Sequence, residues 1–154
     1  MDWSKTLIEE PEICFEESAE NSERKLSYVA AVREALELAL THDERVFIMG
    51  QGVDDPVGAF GTTVGLDKKY GEDRVFDTPL SENALTGVAA GAALTGMRPV
   101  YMHNRPDFLL LAMDQIVNTA SKWSYMFGGS VNVPLVIWAV VGRGWGGAAQ
   151  HTQT

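Results

Sequence analysis

Glu82 stands at the start of a stretch built to exclude water. It follows the turn Asp77-Thr-Pro-Leu-Ser81 and opens the run Asn83-Ala-Leu-Thr-Gly-Val-Ala-Ala-Gly-Ala-Ala-Leu94, which carries almost no polar side chain. A carboxyl group beside such an apolar segment has its charged form disfavoured, so it can hold or give up a proton near neutrality. The plainer reading is a first-turn charge complementing the helix dipole, worth about 0.3–1 kcal/mol. Position alone leaves both open. His103 and His151 are the other groups able to handle protons, each with a plain structural reading beside it: core packing for the first, a polar residue near the chain end for the second. Asp54 and Asp55 invite a metal, yet sit in a loop where solvation explains them equally well.

The elements that must position these groups alternate. Ser27 can cap a helix from Tyr28 to about Thr41, with apolar residues at helical spacing. Val46-Phe-Ile-Met-Gly50 is a short continuous apolar run, the signature of a buried parallel strand. A short helix from Val64 to Tyr70, stopped by Gly71, leads to a second strand at Arg74–Asp77. The residue before Pro79 avoids helical backbone, so the chain turns there, and Ser81 can cap the apolar helix over 82–97. That helix reads as buried, and Gly87 and Gly91 flatten one face, either for a partner or for internal packing. Arg98–His103 is the third strand; Asp107 can cap a long helix from Phe108 to Phe127; Val133–Val141 is the fourth strand. The order implies an α/β domain with a mainly parallel sheet, whose ligands gather beyond the strand carboxyl ends. Gln51, Leu80, Glu82, His103 and the run at 142–147 all follow such ends.

Composition narrows the classes. The chain has 154 residues, 45% hydrophobic and 21% charged, enough for one domain with a core. A net charge of −9 opposes nucleic acid or an anionic membrane as partner. Cys14 is the single cysteine, so an internal disulfide and a cysteine-based metal cluster are excluded. No apolar run is long enough to span a bilayer and no amino-terminal signal pattern is seen, so the cytoplasm is the expected compartment. Residues 1–25 hold seven glutamates and few apolar anchors, and read as an acidic arm before a domain over 26–154. Gly142-Arg-Gly-Trp-Gly-Gly147 matches a dinucleotide fingerprint after a strand. It lacks the following helix and distant acidic residue that such a site needs, and reads better as an active-site loop.

Several stretches carry a resemblance in order and spacing. Lys69-Tyr-Gly71, Asp77-Thr-Pro-Leu-Ser-Glu82, Gly96-Met-Arg-Pro99, Ala112-Met-Asp-Gln-Ile-Val-Asn118, Tyr125-Met-Phe-Gly-Gly129 and Gln150-His-Thr-Gln153 resemble the beta subunit of thiamine diphosphate-dependent 2-oxoacid dehydrogenases. That family includes the pyruvate, branched-chain and acetoin enzymes and belongs with the transketolases. The resemblance runs from about Leu26 onward and implies the pyrimidine-binding domain of a three-layer thiamine diphosphate-binding fold. It implies that Glu82 hydrogen-bonds N1′ of the cofactor's aminopyrimidine, so that the amino group can remove the thiazolium C2 proton. It further implies Phe108 stacked on the pyrimidine, His151 donating to the substrate carboxylate or an intermediate, and Leu80 and Met102 lining the pocket. Gln51 would sit where the family usually has a glutamate beside the cofactor. Glutamine keeps the hydrogen bonding and loses the charge and proton exchange.

The resemblance also implies a partner. In the superfamily a second domain with a Gly-Asp-Gly stretch holds the diphosphate and Mg²⁺, and Gly-Asp-Gly does not occur here. The expectation is half a cofactor site with no metal ligands of its own, inactive without an alpha-type subunit in an α2β2-like hetero-oligomer or dimer. The domain reads as cut short just after Gln150–Gln153. The implied reaction is decarboxylation of a 2-oxo acid with acyl transfer. A transketolase-like or carboligase subunit, and a non-catalytic interaction module, are the alternatives.

Overall fold

A computed structural model describes residues 24–141 and residue 151. The arm over residues 1–25, apart from its last two residues, and the glycine run at 142–147 lie outside the described residues. Ser27 is extended and its Oγ accepts from the Ala30 amide at 3.2 Å, starting helix α1 (Tyr28–His42) as its sequence predicts. Arg24 makes a two-pronged ion pair with Glu34 on that helix, at 2.7 and 2.8 Å.

Strands β1 (Val46–Gly50), β2 (Val75–Phe76), β3 (Arg98–His103) and β4 (Val136–Ala139) form one parallel sheet in the order β2-β1-β3-β4. Alternate strand residues face opposite layers. Val46, Ile48, Val75, Val100 and Met102 pack with Leu40 of α1 and Leu66 of helix α2 (Leu66–Tyr70). Phe47, Met49 and Tyr101 pack with Ala89 of helix α3 (Glu82–Leu94). Helices cover both faces, which is the three-layer α/β arrangement expected.

Several expectations change. Ser81 precedes α3 but makes no side-chain cap bond, because its backbone (φ −166°, ψ 73°) is not that of a capping residue. The helix ends at Leu94 and not near 97, since Gly96 turns the chain at φ +96°. It is also buried on one side only: Thr86, Ala89, Ala90 and Ala93 are covered, whereas Val88 and Gly91 are exposed. Gly87 meets Gln115, so that part of the flat face is internal packing.

The long helix over 108–127 is divided. Helix α4 (Pro106–Leu109) begins with proline in its first turn after an extended Arg105, so Asp107 lies inside the helix and does not cap it. A tight 3₁₀ turn at Leu110–Ala112, a wide π turn at Gln115–Ala120 and helix α5 (Trp123–Met126) follow. The Ser121 amide reaches back five residues to the Ile116 carbonyl at 2.9 Å, and its hydroxyl donates to the Val117 carbonyl at 2.7 Å. These competing bonds break the regular ladder there. β4 is shorter than its apolar run because Pro134 has no amide and Leu135 bonds locally to Val133.

Candidate functional site

The sheet order creates a switch. The connection leaving β1 passes through α2 to β2 on one side. The connection leaving β3 passes through α4 and α5 to β4 on the other. Adjacent strands whose connections diverge leave a crevice at their carboxyl ends, the usual ligand position in open parallel sheets. Gln51 follows β1 and Asn104 follows β3, and the parallel register pairs Gly50 with Met102. Asn104 Nδ2 donates to Gln51 Oε1 at 3.1 Å across that gap.

Two openings meet at this pair. A cleft of about 450 Å³ is lined by Gln51, Asp55, Phe60, Asn104 and Arg105, among others. The Arg105 guanidinium lies over the Phe60 ring, 5.3 Å from its centroid. A much smaller crevice, about 10 Å³, is lined by Gln51, Glu82, Tyr101, Met102, His103 and Asn104. The turn that leads into Glu82 is tied to the same edge, since Asp77 Oδ1 accepts from the Gly52 amide at 2.7 Å.

Glu82 is half-buried in the first turn of α3. Its charge reaches two side chains on β3. Burial, and then the Glu82 carboxylate, push the Tyr101 phenol up to about 12. Burial lowers the His103 pKa below the usual imidazole value, and Glu82 opposes that shift. The Tyr101 and His103 rings lie 4.3 Å apart, and His103 Nε2 is 3.3 Å from Thr86 Oγ1.

The structure thus brings Gln51, Glu82 and Met102 to one crevice. The Met102 side chain belongs mainly to the core on the α1 face, so it borders the site from the layer opposite α3. Leu80 stands apart, 74% exposed on the turn before α3. Phe108 pairs with His151: their rings meet edge to face, centroids 5.3 Å apart. Asn104, Tyr101 and Thr86 were not singled out from sequence. Asn104 could have been, as the residue immediately after a strand, and Thr86 as the lone hydroxyl within the apolar helix. Asp54 and Asp55 form no ligand set; among the described residues no group of three His, Cys, Asp or Glu side chains could hold a metal ion.

An aminopyrimidine cannot enter the small crevice, but its mouth presents a carboxylate, two amide side chains and apolar walls.

Comparison with known proteins agrees with this geometry. The model of the transketolase pyrimidine-binding domain matches residues 24–154. The beta subunit of acetoin:2,6-dichlorophenolindophenol oxidoreductase from Cupriavidus necator is 44% identical over 140 residues, covering 84% of this chain and 41% of that protein. The mitochondrial pyruvate dehydrogenase E1 component subunit beta of Drosophila melanogaster is 46% identical over 123 residues, covering 80% and 34%. The 2-oxoisovalerate dehydrogenase subunit beta of Bacillus subtilis is 40% identical over 129 residues, covering 84% and 39%. The chain therefore spans about two fifths or less of the length of these relatives. With a parallel sheet, a crevice at its switch point and a carboxylate beside it, the chain belongs to the family of transketolase pyrimidine-binding domains.

Proposed function

We propose that this chain is part of a thiamine diphosphate-dependent 2-oxo acid dehydrogenase, of the kind its relatives' names describe, and supplies the aminopyrimidine half of the cofactor site. The observation that carries this reading is the position of Glu82, in the first turn of α3 at the mouth of the switch-point crevice. When bound, the cofactor supplies a carbon nucleophile and an electron sink for cleaving the bond beside a carbonyl. Glu82 holds a proton at the pyrimidine nitrogen. Gln51, fixed by Asn104, orients the ring by hydrogen bonding and adds no charge. Phe108 offers an aromatic face to the pyrimidine. His151, held at the edge of Phe108, donates to the carboxylate of the substrate.

The diphosphate and Mg²⁺ belong to an alpha-type partner in this reading, with the active site at the interface. The exposed apolar residues Val88, Leu110, Leu111 and Met126 support such a partner. The names of the relatives favour a dehydrogenase over a transketolase-like or carboligase reaction. Among the described residues no helix is long and apolar enough to cross a membrane. We place the chain in the cytoplasm, while the Drosophila relative is named as mitochondrial.

The test is exchange of the cofactor's C2 proton in the enzyme assembled with its alpha-type partner, thiamine diphosphate and Mg²⁺. Glu82→Gln should slow exchange by about 100-fold or more, the scale of a positioned acid–base group. Undiminished exchange in that variant removes Glu82 from the mechanism. Native mass spectrometry of the complex identifies the partner and counts the cofactors.

A further inference from the structure

His103 is 2% exposed and sits at the carboxyl end of β3, yet one of its ring nitrogens, Nδ1, has no hydrogen-bond partner among the described residues. The other nitrogen is 3.3 Å from Thr86 Oγ1. The Thr86 hydroxyl has a single proton, and it is already committed: Oγ1 donates to the Glu82 carbonyl at 2.7 Å, one turn back in α3. Toward His103 the hydroxyl can only accept, so Nε2 must carry the ring proton. Nδ1 is then a lone pair, buried and in need of a donor. The crevice that His103 shares with Gln51, Glu82 and Asn104 has room for about one water, within reach of several polar groups.

We propose that His103 is a positioning residue for Glu82. As a neutral imidazole it donates from Nε2 to Thr86, which anchors the first turn of α3. Its Nδ1 accepts from a water in the crevice that also reaches the Glu82 carboxyl group. The groups facing it fit a neutral ring: Tyr101, whose ring is tilted 49° to it, keeps its phenol proton, Gln51 and Asn104 are uncharged, and among the described residues Glu82 is the one ionisable neighbour whose charge bears on it. A permanent cation at His103 would bind the Glu82 carboxylate and oppose its protonation. The neutral ring fixes its place without that penalty. This inference rests on the reading of Glu82 as the pyrimidine's partner.

The test uses the assembled enzyme with ¹⁵N-labelled histidine in this chain. The expected spectrum shows His103 protonated at Nε2, with a hydrogen-bonded acceptor at Nδ1, and titrating below the usual imidazole range. Glu82→Gln should lower that titration further, because the opposing negative charge is gone. His103→Leu should slow C2 exchange about tenfold, the size that one net hydrogen bond supports, and His103→Gln should restore most of the loss. Thr86→Val should match His103→Leu, and the double variant should add little, as expected for one chain of contacts. An Nδ1-protonated ring, or equal exchange in the leucine and glutamine variants, overturns the proposal. If the leucine variant does not assemble, the tautomer of the unmodified protein decides alone. A wrong tautomer together with loss of exchange in Glu82→Gln defeats the role of His103 and leaves that of Glu82 standing.

Discussion

The imidazole of His151 meets the ring of Phe108 at 83°, edge to face, with centroids 5.3 Å apart. The two residues come from distant parts of the chain, and the same family resemblance implies a role for each. An edge-to-face contact of this kind is worth about 0.5–1.5 kcal/mol beyond simple burial. It fixes the His151 ring relative to the start of α4.

Phe108→Ala should therefore weaken thiamine diphosphate binding by about tenfold in the assembled enzyme, through loss of the aromatic face. His151→Ala should leave cofactor affinity closer to normal and lower turnover. A double-mutant cycle measured by cofactor titration should give a coupling between the two of about 0.5–1.5 kcal/mol. Strict additivity would show that their contact carries no energy.

Gln51→Glu places a second carboxylate in the crevice with Glu82. Like charges disfavour joint ionisation, so the proton affinity of the pair rises. The pH midpoint of C2 exchange should move upward. Asn104 can still donate to the new carboxylate, so the thermal stability of the complex should change little. An unmoved midpoint would place residue 51 outside the electrostatic reach of Glu82.

Gly50 ends β1 at φ +148°, and a Cβ there would lie 2.5 Å from the Met102 carbonyl oxygen. Gly50→Ala should cost about 1–3 kcal/mol in urea unfolding, because backbone cannot yield as a side chain can. Gly91 is the contrasting case. It lies within α3, and a Cβ there would meet nothing within 4 Å among the described residues, so Gly91→Ala should stabilise this chain by about 0.5–1 kcal/mol through helix propensity. The same substitution should weaken assembly if that face meets the partner, a result read by native mass spectrometry.

His103 and Asp43 both contribute to the acid limb of stability. His103 is held neutral by burial, so its folded pKa lies below its unfolded one. The unfolded chain binds the extra proton first, and stability falls as pH drops below about 6.5 until the folded pKa is passed. His103→Gln should flatten that part of the profile. Asp43 is lowered from 3.8 to about 2, chiefly by its hydrogen bond with Arg45, with Arg98 also near. Its contribution, about 1–2 kcal/mol after solvent screening, is present above its unfolded pKa and lost as pH falls toward 2. Asp43→Asn should remove this second step, which urea titrations across pH can follow.

The alternation of elements is written in local signals along the chain. The continuous apolar run at Val46–Gly50 and the capping Ser27 are local signals whose physics needs no distant partner. The Asp77–Glu82 turn placed the carboxylate at a helix start, since proline and an apolar helix fix the chain direction there. Tertiary structure decided what stands beside what. The Gln51–Asn104 bond, the Thr86–His103 contact and the Phe108–His151 pair join residues that only the sheet order brings together. The division of the 108–127 segment also escaped local reading, because helical periodicity persists through 3₁₀ and π turns that packing on α3 and hydroxyl back-bonding impose. Periodicity reports which face is apolar, whereas the bonds that tighten or widen a turn depend on neighbours far along the chain.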